Sequence, residues 1–156
     1  TLYSYYPTKA ELFRSVVDSI VMNQQDPNLK SLDDIRATLE TFAEHRLSVV
    51  FSAKHRALVR LIIAEREHFR DIARLYYEQG PLRSHAILSD YFEYLIERNR
   101  IEIESANEAA EFFCGMLMHQ RYIEQLYLDE RSLSKEEIVF KARHVVDRFL
   151  AAYHVI

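Results

Sequence analysis

The chain is 156 residues long, carries a formal net charge of −4, and contains two glycines, three prolines and one cysteine. This length supports one domain with a substantial core, burying roughly 70% of the surface its unfolded chain exposes. So few turn-forming residues argue against a sheet protein, and a lone cysteine excludes an internal disulfide. No apolar run is long enough to span a bilayer and no signal-peptide pattern is present, so the expected location is the cytoplasm. The composition, rich in Leu, Ile, Ala, Glu, Arg and Tyr, predicts an all-α chain.

The first predicted element, Thr1 to Tyr6, is a short helix tail carrying three tyrosines and the hydroxyls of Thr1 and Ser4. Pro7 cannot extend a helix and biases Tyr6 away from helical geometry, so this element stops there. Thr8 lies three residues before Glu11, the spacing of a capping box, and opens a helix to about Asn23 with Leu12, Phe13, Val16, Val17, Ile20 and Val21 apolar. Asp26-Pro27-Asn28 is a break. Ser31, with Asp34 three residues on, begins a second helix in which Leu32, Ile35, Leu39, Phe42, Ala43, Leu47 and Val50 follow a helical period.

From Ala53 to about Glu67, apolar residues cover more than one face, which predicts a helix buried between neighbours. The segment Phe69 to Gln79 is expected to end at Gly80-Pro81, a C′ glycine followed by proline. Leu82 to about Asn99 turns Ile87, Leu88, Tyr91, Phe92 and Leu95 inward. Ile101-Glu102-Ile103 alternates like a strand, but its brevity makes it a connector. Ser105 with Glu108 opens a helix to about Leu128. Ser134 with Glu137 opens the last, which runs to Tyr153 with Ile138, Ala142, Val145, Val146, Phe149 and Tyr153 on one stripe.

The opening residues Thr1-Leu2-Tyr3 and Tyr6-Pro7-Thr8-Lys9-Ala10-Glu11-Leu12-Phe13 resemble the end of the helix-turn-helix of the TetR family of bacterial transcriptional repressors, whose pattern there is roughly T-L-Y-x-H-F-x-[ST]-K-x-x-L-[FL]. Tyr5 stands where the family has His, and Tyr6 where it has Phe. The stretch Leu61 to Tyr153, with Tyr76-Tyr77-Glu78-Gln79-Gly80-Pro81 and the closing Phe149-Leu150-Ala151-Ala152-Tyr153, is similar to the AefR-like C-terminal domains of that family. The resemblance implies an all-α helical bundle preceded by the end of a helix-turn-helix domain. Residues 1–23 would form that remnant plus a connecting helix, and residues 24–156 the ligand-binding and dimerisation domain.

It also implies roughly 40 upstream residues that complete the DNA-binding unit and carry many of its cations. That reconciles a negative chain with DNA binding, which draws its affinity from Lys and Arg on phosphates. By the same resemblance, Thr1, Tyr3, Tyr5 and Lys9 position the protein on DNA, while Leu2, Tyr6, Leu12 and Phe13 pack the DNA domain. The last two body helices would form a four-helix bundle across a twofold axis, with Gly115, Met118, Ile138, Ala142, Val145, Val146, Phe149 and Tyr153 at the interface. Gly115 in mid-helix costs about 1 kcal/mol against alanine, which makes sense where another helix packs closely.

Catalytic and metal chemistry find little support. His45 and His55 are too far apart for one helix face, and no H-x-x-x-H, H-E-x-x-H, G-x-S-x-G, C-x-x-C or Gly-rich phosphate loop occurs. Cys114 reads as a small buried hydrophobe. No enzyme activity, metal or cofactor is expected.

The positive clue is ten tyrosines and nine phenylalanines on several helices. They are either ordinary core or the wall of a hydrophobic cavity among the middle helices, with Phe42, Ile62, Tyr76, Tyr91, Tyr94, Phe113, Met116 and Tyr122 lining it. His119 and Gln120 could orient a ligand there by hydrogen bonding or sit at a subunit contact. Glu65 and Glu124 lie in apolar surroundings. A carboxylate facing the cavity would favour cationic aromatic ligands, whereas Glu65 could equally pair with Arg66, Arg60 or Lys54, or face water. The expected function is a DNA-binding regulator, most simply a repressor, working as a homodimer on a double-stranded operator under control of a small hydrophobic or aromatic effector. The alternative is a helical carrier without a DNA role, and no membrane partner is expected.

Overall fold

The computed structural model describes residues 5–21, 27, 29, 34–128 and 131–155. The DNA-contact candidates Thr1 and Tyr3, the helix-start candidate Ser31 and the helix-end candidate Asn23 lie outside them.

Helix α1 spans Lys9–Val21 and opens with the anticipated capping box: the Glu11 amide donates to Thr8 Oγ1 at 3.2 Å and the Thr8 amide to Glu11 Oε2 at 3.1 Å. Helix α2 spans Ile35–Val50, capped by Asp34, whose side chain accepts from the Ala37 amide at 2.8 Å. Helix α3 (Ala53–Glu65) begins at Ser52, which caps the His55 amide. Only its His55, Leu58, Val59 and Ile62 face is buried, and Leu61 and Ile63 point outward, so the expectation of burial on several faces does not hold.

Helix α4 (Arg70–Tyr77) does not stop at a C′ glycine. It widens into a π-helical turn, Glu78–Leu82, that leads straight into α5, Arg83–Ile96. No glycine adopts positive φ. Pro81 has no amide to give a helix ladder, and the wider turn accommodates it where an α-helix interior would be broken. The turn that closes α5 instead places Asn99 in left-handed geometry (φ 53°), with the Arg100 amide returning to the Leu95 carbonyl at 2.9 Å. The presumed connector is a strand: β1 (Ile101–Glu102) pairs antiparallel with β2 (His154–Val155), Ile101 opposite Val155.

The helix expected over Ser105–Leu128 is two: α6 (Ala106–Leu117) and α7 (Gln120–Tyr127). His119 breaks it, because its Nδ1 accepts the Arg121 amide at 3.3 Å and so caps a new helix start. Helix α8 (Lys135–Ala152) begins with a capping box at Ser134 and Glu137. Glu137 also takes two hydrogen bonds from Arg131, and these, with the Ser134 amide, hold its carboxyl down at about 2.

The apolar residues form two separate cores. The larger joins α2, α5, α6 and α8, centred on Phe149, whose ring stacks on Phe92 at 5.2 Å and meets Phe113 edge-on at 5.0 Å. The smaller gathers Phe13 and Val17 of α1, Leu58 and Ile62 of α3, and Ile72 of α4. Hydrogen bonds run from α3 to α7 and from α7 to α2. Arg60 donates to the carbonyls of Gln125, Leu126 and Leu128, and Gln125 Nε2 donates to the Val50 carbonyl at 3.1 Å. The smaller core, with its own apolar cluster, is the part of the body on which α1 rests.

Candidate functional site

The helical period of α2 that buries Leu39, Phe42, Ala43 and Leu47 also places Arg46 on the inner stripe, leaving it 5% exposed. Arg46 is one of the residues that line a partly enclosed cavity of about 220 Å³, together with the buried Ser84 and Leu117, Pro81 of the π turn, and Cys114, Gly115, His85 and Met118. Gly115 lines this space with nothing within 4 Å of where a Cβ would stand, so within the chain its lack of a side chain leaves room rather than admitting a close helix.

The surroundings of Arg46 are buried and polar. Tyr76 Oη and His55 Nε2 are 3.1 Å apart. Burial, reinforced by the Arg46 charge, pulls the His55 imidazole down to about 4. Burial likewise raises the Tyr122 phenol and pushes the Cys114 thiol up to about 11, with Arg46 opposing in both cases. Cys114 is thus held as the neutral thiol at neutral pH. Gln125 is 1% exposed, and its Oε1, like His55 Nδ1, has no hydrogen-bond partner. The Lys141 ammonium stands 4.8 Å from the centre of the Phe51 ring. Burial, helped by the Arg121 charge, lowers it to about 8.

His55 gives the first expected result. In the unfolded chain the imidazole takes up a proton as pH falls through its ordinary value near 6.5, whereas in the fold it stays neutral until about 4. Stability attributable to His55 is therefore full above neutrality and is lost as pH falls through that window, by about 2 kcal/mol between pH 7.5 and 5. Urea unfolding across this range should show that slope in the wild type and its loss in His55→Gln. Equal slopes would contradict the assignment.

The residues expected to line one cavity are distributed. Phe42, Tyr91 and Phe113 fill the larger core, and Ile62 and Tyr76 belong to the smaller one. Tyr94 carries the Arg98 guanidinium on its ring at 3.8 Å. Met116 and His119 border an outer groove of about 890 Å³ along α8, and Tyr122 meets Phe51 edge-on. Glu65 does not face the cavity or take Arg66, Arg60 or Lys54. It pairs with Lys9 at 2.9 Å, because the C-terminal end of α3 lies against the start of α1. The case for a cationic ligand based on Glu65 therefore falls.

Arg14 pairs with Asp71 at 2.6 Å, and Phe13 meets Phe69 edge-on at 5.5 Å, so α1 is held to both α3 and α4. Tyr5 is 82% exposed, as a residue available to DNA must be, whereas Lys9 has its protein carboxylate.

The implied interface residues also divide. Ala142, Val145, Val146 and Phe149 are buried inside their own chain, because the α8 stripe is already covered by α2, α5 and α6. Ile138, Met118 and Tyr153 are half-buried against that core, and Gly115 is exposed. The apolar side chains left outward on the same helices are Phe112 and Phe140, 52% and 64% exposed.

Sequence reasoning missed Arg46, Ser84 and Gln125. The signal for Arg46 was its spacing, in phase with Leu39, Phe42 and Ala43 on a face where a charge needs a reason.

Comparison with known proteins matches residues 37–155 to the family described as AefR-like transcriptional repressor, C-terminal domain. Among solved structures, the flavonoid-responsive regulator FrrA is 28% identical with a TM-score of 0.78, over 97% of this chain and 78% of that one. A TetR-family transcriptional regulator from Mesorhizobium loti MAFF303099 is 24% identical with a TM-score of 0.78, over 99% and 79% of the two chains. A TetR regulator from Agrobacterium tumefaciens is 20% identical with a TM-score of 0.78, over 97% and 76%. The last two likenesses speak for the fold alone. No curated protein matches the chain.

Proposed function

Because this chain belongs to the TetR family of transcriptional regulators, which are not enzymes, we propose that it is the sensing body of a repressor that leaves its operator when a small aromatic effector enters the helical body. In this reading residues 1–23 end the helix-turn-helix unit and residues 24–156 bind the effector and dimerise. The protein acts in the cytoplasm, as a homodimer whose two reading helices stand about 34–36 Å apart. Thr1, Tyr3 and Tyr5 reach DNA, with Lys9 sharing its charge between Glu65 and a phosphate. Partner subunits meet through the outward faces of α6 and α8, where Phe112 and Phe140 stand open.

The observation that carries the reading is the mechanical path from cavity to α1. Pro81 and Ser84 border the cavity at the π turn. That turn is continuous with α4, and α4 holds α1 through Asp71 and Phe69. An occupant that displaces the turn moves α4, and α1 follows with its small core rather than with the large one. The effector shifts the equilibrium only by its preference for the released state, so a hundredfold preference is worth about 2.7 kcal/mol per site. The flavonoid-responsive relative, named for its response to an aromatic compound, favours an aromatic effector here as well.

The test is an anisotropy titration of the complete protein on duplex DNA from its own upstream region. A specific complex at roughly 10⁻⁸ M or tighter, with one dimer per twofold-symmetric site, is expected. Equal affinity for unrelated duplex would overturn the reading and leave a helical carrier in its place.

A further inference from the structure

Resting on the reading that this body binds an aromatic effector, we infer that the occupant of the cavity between the π turn and α6 is an uncharged monocyclic phenol whose hydroxyl meets Ser84. Size comes first. A dry cavity of about 150 Å³ takes up benzene, and pockets for drug-sized ligands run from roughly 300 Å³ upward. At about 220 Å³ the space fits one ring with a small substituent.

Charge comes second. No Asp or Glu lines the space among the described residues, so an ammonium would enter without a counter-charge. Arg46 already has its interaction partner within the chain, His85 Nε2 donates to the Asn107 carbonyl at 3.1 Å, and the Cys114 thiol is neutral. A carboxylate would therefore be buried without a cation to pair it, which is costly. The lining suits a neutral molecule.

Ser84 supplies the one polar group left over. It is 3% exposed, it lines the cavity, and its hydroxyl has no hydrogen-bond partner among the described residues. A buried hydroxyl needs a partner, and one on a cavity wall finds it in the occupant. Serine both donates and accepts, which matches a phenol O–H, a group that keeps its proton at pH 7. Pro81, Leu117 and Met118 supply the apolar and soft sulfur surface for the ring, and Gly115 leaves its entry open.

The experiment is calorimetric titration of the complete protein with p-cresol, against toluene, which lacks the hydroxyl, and against benzoate and benzylamine, which are charged at pH 7. p-Cresol should bind roughly three- to tenfold more tightly than toluene, the ordinary net worth of one hydrogen bond. Both ions should bind at least about tenfold more weakly than p-cresol. Ser84→Ala should bring p-cresol down to the level of toluene while toluene binding holds, a split that a merely structural role would not produce. Gly115→Leu, which places a side chain in open space, should weaken both. Toluene as tight as p-cresol, a p-cresol preference that survives Ser84→Ala, an ion that matches p-cresol, or no p-cresol binding at millimolar concentration would each overturn the inference. p-Cresol binding that follows this pattern but leaves operator affinity unchanged would keep the site and count against the regulatory reading alone.

Discussion

Replacing Phe149 by alanine is expected to cost about 3–5 kcal/mol of unfolding free energy, measured by denaturant titration. Phe149 is fully buried and touches the rings of Phe92, Phe113 and Tyr153, so truncation opens a cavity where three helices converge. An interface residue would behave differently, weakening association while the protomer kept its stability. Phe140→Ala supplies that contrast: its ring is 64% exposed, and its loss should leave unfolding within about 1 kcal/mol of wild type. A Phe149→Ala protein that unfolds normally but sediments as a monomer would restore the interface role that the family resemblance implied for this residue.

The second large effect is expected at Phe13. Its ring packs with Val17, Leu58, Ile62 and Ile72 and meets Phe69 edge-on, and this cluster is most of what holds α1 to the body. The flanking pairs Lys9–Glu65 and Arg14–Asp71 are solvent-exposed, worth at most about 1 kcal/mol each, and serve to set register rather than to bind. Phe13→Ala should therefore free α1 locally, at about 3 kcal/mol. Amide exchange along α1 should accelerate by about a hundredfold, while the amides of α2 and α5 in the larger core keep their protection. Equal acceleration in α1 and the larger core would mean that the two cores form one cooperative unit, and the lever argument would lose its basis.

What the sequence made legible follows the strength of its local signals. The capping boxes at Thr8 and Ser134, and the cap at Ser105, form as their spacing predicted, since each satisfies orphan amides within four residues and needs no tertiary partner. The all-α architecture and the family were likewise readable, from composition and from the T-L-Y to Lys9 pattern. Failures came where tertiary context outweighs local preference. Gly80-Pro81 signals a stop in isolation, but a helix on either side holds the chain in a π turn. His119 is unremarkable in sequence until its ring turns back to cap a new helix.

The site was harder still. The apolar stripe of α8 announces a buried face without saying whether the cover is another subunit or the same chain, and here α2, α5 and α6 supply it. Glu65 found Lys9 at a separation of 56 residues, a pairing no local rule anticipates. Arg46 carried a usable clue in its phase with the apolar stripe, yet its role depends on a cavity that exists only once α2, α5 and α6 meet.

The central claim is that the DNA-reading end and the cavity are two ends of one movable unit. Because coupling is reciprocal, operator DNA must alter the cavity as the effector alters the operator affinity. Hydrogen exchange of the complete protein, with and without a saturating duplex from its own upstream region, measures this without any knowledge of the effector. The account predicts altered protection in α1, along α4 and at residues 78–84 beside the cavity, with the larger core unchanged. Changes confined to the DNA-reading segment, with α4 and the π turn indifferent to DNA, would contradict it.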